Sequence, residues 1–167
     1  DGRLSKEEIY WLVRRAKGDF GITTTAAANV TETGRGWEGE MGVWGDHQLE
    51  GLSEMATQLE DTGTISLVQL FHGGMRAPAD LNSQQPISAS YNTEPHMNGS
   101  YAREMSEIEI VSMIQSFTEA AIRCEKAGFH GVELHGAHSY LICQFLGSKT
   151  NRRTDSWGGD IWERSRF

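Results

Sequence analysis

The chain has 167 residues, of which 38% are hydrophobic and 23% are charged, as expected for a soluble domain with its own core. Its formal net charge of −8 argues against a nucleic-acid or membrane-surface partner, because both require clustered Lys and Arg. No apolar run approaches the roughly 18 residues of a membrane-spanning helix, so we expect no membrane span.

The chain has two cysteines, Cys124 and Cys143. This number is too small for a disulfide framework, and the sequence opens without a secretory leader. We therefore expect two free thiols and a cytoplasmic location. The composition does not exclude a homo-oligomer.

Helical and strand patterns alternate along the first half of the chain. A capping box at Ser5–Glu8 begins a helix over 5–17, and the β-branched run "FGITTTAA" predicts a strand over 20–27. Asp46 is the predicted cap of a second helix, whose apolar face carries Leu49, Leu52, Met55, Ala56 and Leu59. The run "TISLVQLF" predicts a strand over 64–71 that is covered on both faces.

The second half begins with a long segment over 72–105 that holds all three prolines, which is typical of a functional or disordered loop. Another capping box, Ser106–Glu109, begins a long amphipathic helix that ends at Gly128. The run "FHGVELH" predicts a third strand over 129–135, and the pattern over 139–146 is helical. Alternating helices and strands predict an α/β fold with a parallel sheet, and an α/β barrel and a doubly wound sheet both fit.

The run "GRGWEG" at 34–39 is a literal match to the G-x-G-x-x-G fingerprint of dinucleotide-binding folds. In those folds the fingerprint directly follows a strand and opens a helix whose N-terminus holds pyrophosphate. Here the predicted strand ends near residue 27, and the following "EMGVWGD" has no helical pattern. The match therefore does not indicate a nucleotide site.

His135, His138 and Tyr140 lie together at the end of the third predicted strand. Parallel strands carry functional sites at their C-terminal ends, so these residues are candidates for an active site. Three interpretations fit. The first is a structural histidine pair, and the second is a metal site, as in a metal-dependent barrel hydrolase, with His135, His138 and either Glu133 or His72 as ligands. In the third, the two histidines donate N–H groups that polarise one substrate oxygen, and the tyrosine donates a proton. The H-x-x-H spacing outside a helix is not typical of metal ligands, which favours the last interpretation.

Gln69 is a lone amide near the C-terminal end of an otherwise apolar strand. If it is buried, it must find hydrogen-bond partners. A structural network would serve. A planar ring with alternating carbonyl and N–H groups would serve as well, because one amide offers both a donor and an acceptor.

The segment over 128–167, "GFHGVELHGAHSYLICQFLGSKTNRRTDSWGGDIWERSRF", closely resembles the Old Yellow Enzyme family of FMN-dependent ene-reductases. The family form contains G-F-D-G-V-E-[IL]-H-x-A-H-G-Y-L, then Q-F-L-S-P, N-x-R-T-D and Y-G-G. The runs "SLVQLFHGGMRAP" and "DGRLSKEEIYWLVRRAKGDFGITTTAA" resemble two earlier regions of the family. This chain has Ser139 in place of a common Gly, so the backbone turn there is expected to be a point of difference. It also has Gly-Ser at 147–148 for Ser-Pro and Asp-Ile-Trp at 160–162 for Ser-Leu-Glu.

The resemblance implies a (β/α)8 TIM barrel, of which residues 1–167 form a partial domain. This part runs from helix one to the start of helix four and contains strands two to four. The resemblance puts strand one, strands five to eight and the FMN phosphate site outside this sequence. A partial barrel of this kind is also consistent with an inactive domain that depends on a partner half.

The resemblance further implies an NAD(P)H-dependent flavin oxidoreductase that reduces activated C=C bonds of α,β-unsaturated carbonyl or nitro compounds. The reductant is NADPH or NADH, the cofactor is FMN, and the partner is a small-molecule alkene. Ala27 and Gln69 fall where the family contacts the isoalloxazine ring. His135 and His138 fall on the pair that binds the activating oxygen of the substrate, and Tyr140 falls on the proton donor. No residue is assigned to a metal.

Overall fold

The computed structural model describes residues 1–94 and 101–167, so residues 95–100 of the predicted long loop lie outside the described part. The helices are α1 Lys6–Ala16, α2 Leu49–Glu60, α3 Ala79–Asn82, α4 Glu107–Ala127, α5 Leu141–Leu146 and α6 Ile161–Arg164. The strands are β1 Ile22–Asn29, β2 Ile65–Phe71, β3 Ile87–Ser88, β4 Asn92–Thr93, β5 Tyr101–Glu104 and β6 Gly131–Leu134. No helix within the described residues has the length and apolar character needed to cross a membrane.

The chain divides into two compact units. Unit 1 contains residues 1–32, 39–70 and 116–134, and unit 2 contains residues 33–38, 71–115 and 135–167. Each unit has its own buried apolar side chains, among them Leu52, Met55 and Val68 in unit 1 and Phe71, Ile110 and Phe145 in unit 2.

The first two helices follow the amphipathic patterns of the sequence. Ser5 is the N-cap of α1, and its hydroxyl accepts a hydrogen bond from the Glu8 backbone N–H at 3.1 Å. The buried face of α1 consists of Ile9, Leu12, Val13 and Ala16, and that of α2 of Leu52, Met55, Ala56 and Leu59. The predicted cap of α2 is wrong by one turn, because a 3-10 turn over Asp46–Gln48 precedes the helix.

The three predicted strands of unit 1 form one sheet in the order β1, β2, β6. Strands β2 and β6 are parallel, and their register pairs Gln69 with Glu133. Side chains that are paired in register lie on the same face of a sheet. The alternation of helices and strands therefore correctly predicted this parallel pair.

Strand β1 is shifted by two residues from the prediction, and it runs to Asn29. The backbone N–H of Asn29 donates to the Met41 carbonyl at 3.0 Å, and the Val43 N–H donates back to the Asn29 carbonyl at 3.0 Å. This pairing extends the strand. No helix follows the "GRGWEG" run over 34–39, so this run does not have the backbone of a dinucleotide fingerprint.

Strand β6 is shorter than the predicted strand over 129–135. The Phe129 backbone N–H donates to the Cys124 carbonyl at 3.1 Å, so this residue closes the end of α4 and does not begin the strand. The strand ends at Leu134. His135 is therefore the first residue beyond the C-terminal end of the strand, whereas the sequence predicted it as the last residue of the strand.

Residues 72–94 and 101–105 of unit 2 are more regular than the predicted long loop. Strand β3 pairs in parallel with β5, and β4 pairs antiparallel with β5. The buried Arg153 guanidinium donates from Nη1 to the carbonyls of Ala89 at 3.0 Å and Met105 at 2.6 Å. Arg153 also forms a salt bridge with Asp155 at 2.5 Å. The arginine and the aspartate of the N-x-R-T-D run thus form an ion pair, and the arginine also binds two backbone carbonyls of unit 2.

Candidate active site

His135 begins the cluster of side chains in unit 2 that the sequence singled out. Its ring is half-buried, and its Nδ1 accepts a hydrogen bond from the Ala137 backbone N–H at 3.3 Å. A ring nitrogen that accepts a hydrogen bond carries no hydrogen, so the neutral imidazole of His135 has its hydrogen at Nε2. The loop backbone thereby selects the tautomer whose Nε2 can donate.

His138 faces His135 across a tight turn. Its Nδ1 lies 3.3 Å from the Nε2 of His135, and the ring centroids are 5.1 Å apart. The backbone is left-handed at His138, with φ of 55°, and at Ser139, with φ of 59°. Ser139 occupies the position of the common family glycine. The serine adopts the left-handed conformation that glycine adopts without steric cost.

Aromatic contacts fix the position of the Tyr140 ring. Its ring meets Phe71 edge-on, with centroids 4.4 Å apart and an interplanar angle of 86°. It also meets His135 edge-on at 4.9 Å and 88°. The Leu141 backbone N–H donates to the His72 carbonyl at 3.0 Å, which fixes the start of α5 beside Tyr140. The predicted helix over 139–146 therefore begins two residues later, at Leu141.

Two further residues of unit 2 organise this turn, and the sequence patterns described above singled out neither. Arg76 donates from Nη1 to the His138 carbonyl at 2.9 Å, and its guanidinium carbon lies 5.2 Å from the centroid of the Tyr140 ring. Gln144 is fully buried, and its Nε2 donates to the Ser139 carbonyl at 2.6 Å. The left-handed turn is thus held through both of its carbonyl groups.

Gln144 also connects the turn to the segment that follows β2. Its Oε1 accepts from the Met75 backbone N–H at 3.1 Å, and its Nε2 lies 3.4 Å from the Gly73 carbonyl. The buried amide network that the sequence led us to consider for Gln69 is therefore formed by Gln144. The sequence signal that could have identified Gln144 is its position in the Q-F-L run that this chain shares with the family form.

The burial and contacts of His72 indicate a structural role. It is buried, and its Nδ1 accepts a hydrogen bond from the Gly74 backbone N–H at 3.0 Å. Burial lowers the pKa of its imidazole to about 4. Gly34 packs so closely against the ring that a Cβ there would lie 2.5 Å from the His72 Cδ2. This contact gives the first glycine of the "GRGWEG" run a packing role.

Ala27 and Gln69 belong to unit 1. Ala27 is half-buried, two residues before the end of β1. Gln69 is half-buried, and its side chain projects from the same face as the exposed Glu133. The Gln69 Nε2 donates a hydrogen bond to the Glu133 Oε1, and the Gln69 backbone N–H donates to the Thr25 hydroxyl at 3.2 Å.

Glu133 and the Nδ1 of His72, both suggested as metal ligands, make hydrogen bonds within the chain. Glu133 accepts from Gln69, and His72 accepts from Gly74. Across the described ranges 1–94 and 101–167, no three or more His, Cys, Asp or Glu side chains form a group that could hold a metal ion.

Comparison with known proteins shows one family over the whole chain. The family model described as NADH:flavin oxidoreductase / NADH oxidase family matches residues 1–167. The chain is 38% identical to a probable NADH-dependent flavin oxidoreductase of Bacillus subtilis, and it covers 44% of that protein. It is 37% identical to an NADH:acrylate oxidoreductase of Vibrio harveyi, of which it covers 17%.

A solved structure gives the same result. Over 98% of this chain and 49% of the other, the fold matches an Old Yellow Enzyme homologue from Zymomonas mobilis with a TM-score of 0.87 and 28% sequence identity. The chain thus spans less than half the length of each of these three proteins.

Proposed function

The chain belongs to the NADH:flavin oxidoreductase / NADH oxidase family, and from this premise we propose that the complete protein is an FMN-dependent ene-reductase. It would reduce activated C=C bonds of α,β-unsaturated carbonyl or nitro compounds with NADH or NADPH. The chain corresponds to part of the (β/α)8 barrel of its Old Yellow Enzyme relatives, and the described sheet of β1, β2 and β6 is not a closed barrel. The proposal takes residues 1–167 as one partial domain of that barrel.

The observation that supports this reaction best is the distance of 3.3 Å between His135 Nε2 and His138 Nδ1. An oxygen atom at an ordinary hydrogen-bond length of ~2.9 Å from one nitrogen can lie equally close to the other. The Ala137 N–H already places the hydrogen of His135 on Nε2. If His138 carries its hydrogen on Nδ1, both rings donate to one carbonyl or nitro oxygen, which stabilises the negative charge that develops there.

Tyr140 is the proposed proton donor. When the oxygen of an unsaturated carbonyl compound is polarised, its β-carbon becomes open to hydride attack and its α-carbon must gain a proton. The Tyr140 ring is fixed edge-on to both Phe71 and His135, so the phenol is attached to the same rigid group of rings as the oxygen-binding pair. This arrangement supports separate roles for the imidazoles and the phenol.

Gln69 and Ala27 would face the isoalloxazine ring of FMN. The amide of Gln69 offers an acceptor oxygen and a second N–H beside the one bound by Glu133, and these groups match the alternating carbonyl and N–H groups of the flavin pyrimidine. Ala27 has only a methyl group, which leaves room for the ring near the end of β1. Bound FMN would accept a hydride from NAD(P)H and supply it to the alkene. The name of the Vibrio harveyi relative gives acrylate, an activated alkene, as its substrate, which supports this substrate class.

The setting we propose is the cytoplasm, where reduced nicotinamide nucleotides and free thiols are found. Both cysteines are free, and burial raises the pKa of the Cys124 thiol to about 12. A thiol held in its protonated form reacts slowly with oxidants.

The test is to purify the full-length protein and to follow its absorbance and NADH oxidation with and without 2-cyclohexenone. We expect bound flavin and oxidation of NADH that the unsaturated ketone accelerates and that cyclohexanone does not. A preparation with bound zinc and no flavin would favour the metal-dependent hydrolase. Absence of both, together with no NADH oxidation, would favour an inactive protein.

A further inference from the structure

Gln69 and Glu133 form a pair of side chains on neighbouring strands of unit 1. The register of the parallel strands β2 and β6 sets them opposite each other. The amide nitrogen Nε2 of Gln69 donates a hydrogen bond to Oε1 of Glu133. Gln69 is half-buried and Glu133 is exposed, so the pair is open to a ligand on this face of the sheet.

This contact determines which way the amide points. An ionised carboxylate accepts hydrogen bonds and cannot donate one, whereas an amide has one acceptor end and one donor end. The orientation with Gln69 Oε1 against Glu133 would put two acceptors together and is disfavoured. The amide nitrogen must therefore face Glu133, and Oε1 must face away from it. An isolated glutamine has no such restriction, because its two ends are nearly equivalent in shape.

We propose that Glu133 is a positioning residue that fixes the Gln69 amide with its Oε1 presented to the N3–H of the flavin pyrimidine. The second hydrogen on Nε2 then remains available to a neighbouring pyrimidine carbonyl. This inference rests on the proposed function, in which Gln69 contacts FMN. It adds that Glu133 makes the site selective for a ring with an N–H donor at this position.

A purely structural role for Glu133 makes a different prediction. Cross-strand pairs of this kind stabilise a sheet by roughly 0.2–1 kcal/mol. Loss of such a pair would lower stability, and any effect on FMN binding would be independent of whether residue 69 carries an amide. A direct contact between Glu133 and the flavin would also act independently of Gln69. Combined substitutions at both positions therefore distinguish an effect of Glu133 that acts through Gln69 from one that does not.

The experiment uses the full-length protein and FMN labelled with ¹⁵N at N3. Glu133→Gln keeps the size of the side chain but gives it both a donor and an acceptor, so Gln69 can adopt either orientation. We expect FMN to bind ~3–10-fold more weakly, as for loss of one hydrogen bond, and the N3–H signal to exchange faster with water. Glu125→Gln, an exposed glutamate of α4 with the same change in charge, should leave both readouts unchanged.

A second comparison decides whether Glu133 acts through Gln69. In a Gln69→Ala background, Glu133→Gln should have no further effect on FMN affinity or on N3–H exchange. Equal effects of Glu133→Gln with and without Gln69, or no effect in the wild-type background, would overturn the inference and leave the proposed function intact. Failure of the wild-type protein to bind FMN at all would overturn both.

Discussion

His135 Nε2 and His138 Nδ1 lie 3.3 Å apart across a turn in which His138 and Ser139 both have left-handed backbone conformations. Non-glycine residues pay a steric cost in this region, which persists only where the surroundings enforce it. Here the enforcing groups are Arg76 on the His138 carbonyl and Gln144 on the Ser139 carbonyl. The strained turn and the close pair of imidazoles are therefore one feature of the structure.

The first prediction concerns the paired imidazoles in the full-length enzyme. His138→Ala removes one of the two donors, so it should weaken binding of a phenol and slow alkene reduction by ~10²–10³. His135→Ala should act in the same way. Oxidation of NADH by the bound flavin should change much less, because no oxyanion develops in that half-reaction. Stopped-flow measurement of the two half-reactions is the test, with the exposed His47→Ala as the control.

Equal losses in the two half-reactions for His138→Ala would contradict the polarising role. They would indicate a structural or metal-binding role for the pair. An unchanged affinity for phenol would contradict it as well, since a phenolate oxygen resembles the polarised oxygen of the substrate.

The second prediction concerns Tyr140. Tyr140→Phe removes the phenolic hydroxyl and keeps the ring that packs edge-on against Phe71 at 4.4 Å. Phenol binding and flavin reduction should stay within about twofold of the wild type, and alkene reduction should slow by ~10²-fold or more, within the range for loss of a general acid. Stopped-flow assays of the same two half-reactions will show this. A loss of phenol binding comparable to that of His138→Ala would mean that the hydroxyl also holds the substrate oxygen.

Much of the fold was predictable because its signals are local. The apolar runs predicted β2 and β6, and helical spacing predicted α1, α2 and α4. The position of His135 followed from the end of the third strand. Each of these predictions depends on a pattern within about twenty residues of sequence, where periodicity is informative.

The residues that position the site were not predictable in the same way. Arg76 and Gln144 donate hydrogen bonds to backbone carbonyls 62 and 5 residues away, respectively. Every residue has a backbone carbonyl, so the sequence does not indicate which one a side chain binds. The partner of Gln69 depends on the register between β2 and β6, which a single sequence does not specify. Strands β3 and β4 have two residues each, too few for an alternating pattern.

The third prediction tests the strain at Ser139, whose φ is 59°. Ser139→Gly should leave the free energy of unfolding unchanged or raise it by up to about 1 kcal/mol, because relief of the steric cost offsets the added flexibility of glycine. Ser139→Val should lower it by more than about 1 kcal/mol, since a β-branched residue is strongly disfavoured at positive φ. Urea unfolding of the full-length variants gives both values.

Ser156, an exposed residue whose φ is not positive, is the matched control. Ser156→Gly should not stabilise the protein, because there is no strain to relieve. If Ser139→Val were as stable as the wild type, the left-handed backbone conformation assigned to Ser139 would be contradicted.

The fourth prediction is a pH dependence caused by His72, which is buried and whose pKa is lowered from 6.5 to about 4. In the unfolded chain His72 takes up a proton near pH 6.5, whereas in the fold it does so only near pH 4. Between these values the unfolded state binds more protons, so the free energy of unfolding falls as the pH falls from 6.5 and levels off below about 4. The full loss is on the order of 3 kcal/mol.

His72→Asn is the informative variant for this dependence. Its Oδ1 can accept the hydrogen bond that the Gly74 N–H now donates to His72 Nδ1 at 3.0 Å, and the amide does not titrate. The variant should be less stable than the wild type at pH 7, because the smaller side chain leaves a gap. Its stability should then fall less steeply than that of the wild type as the pH is lowered to 4. Urea unfolding of both full-length proteins across this range measures the difference, and parallel curves would show that His72 protonates freely in the fold.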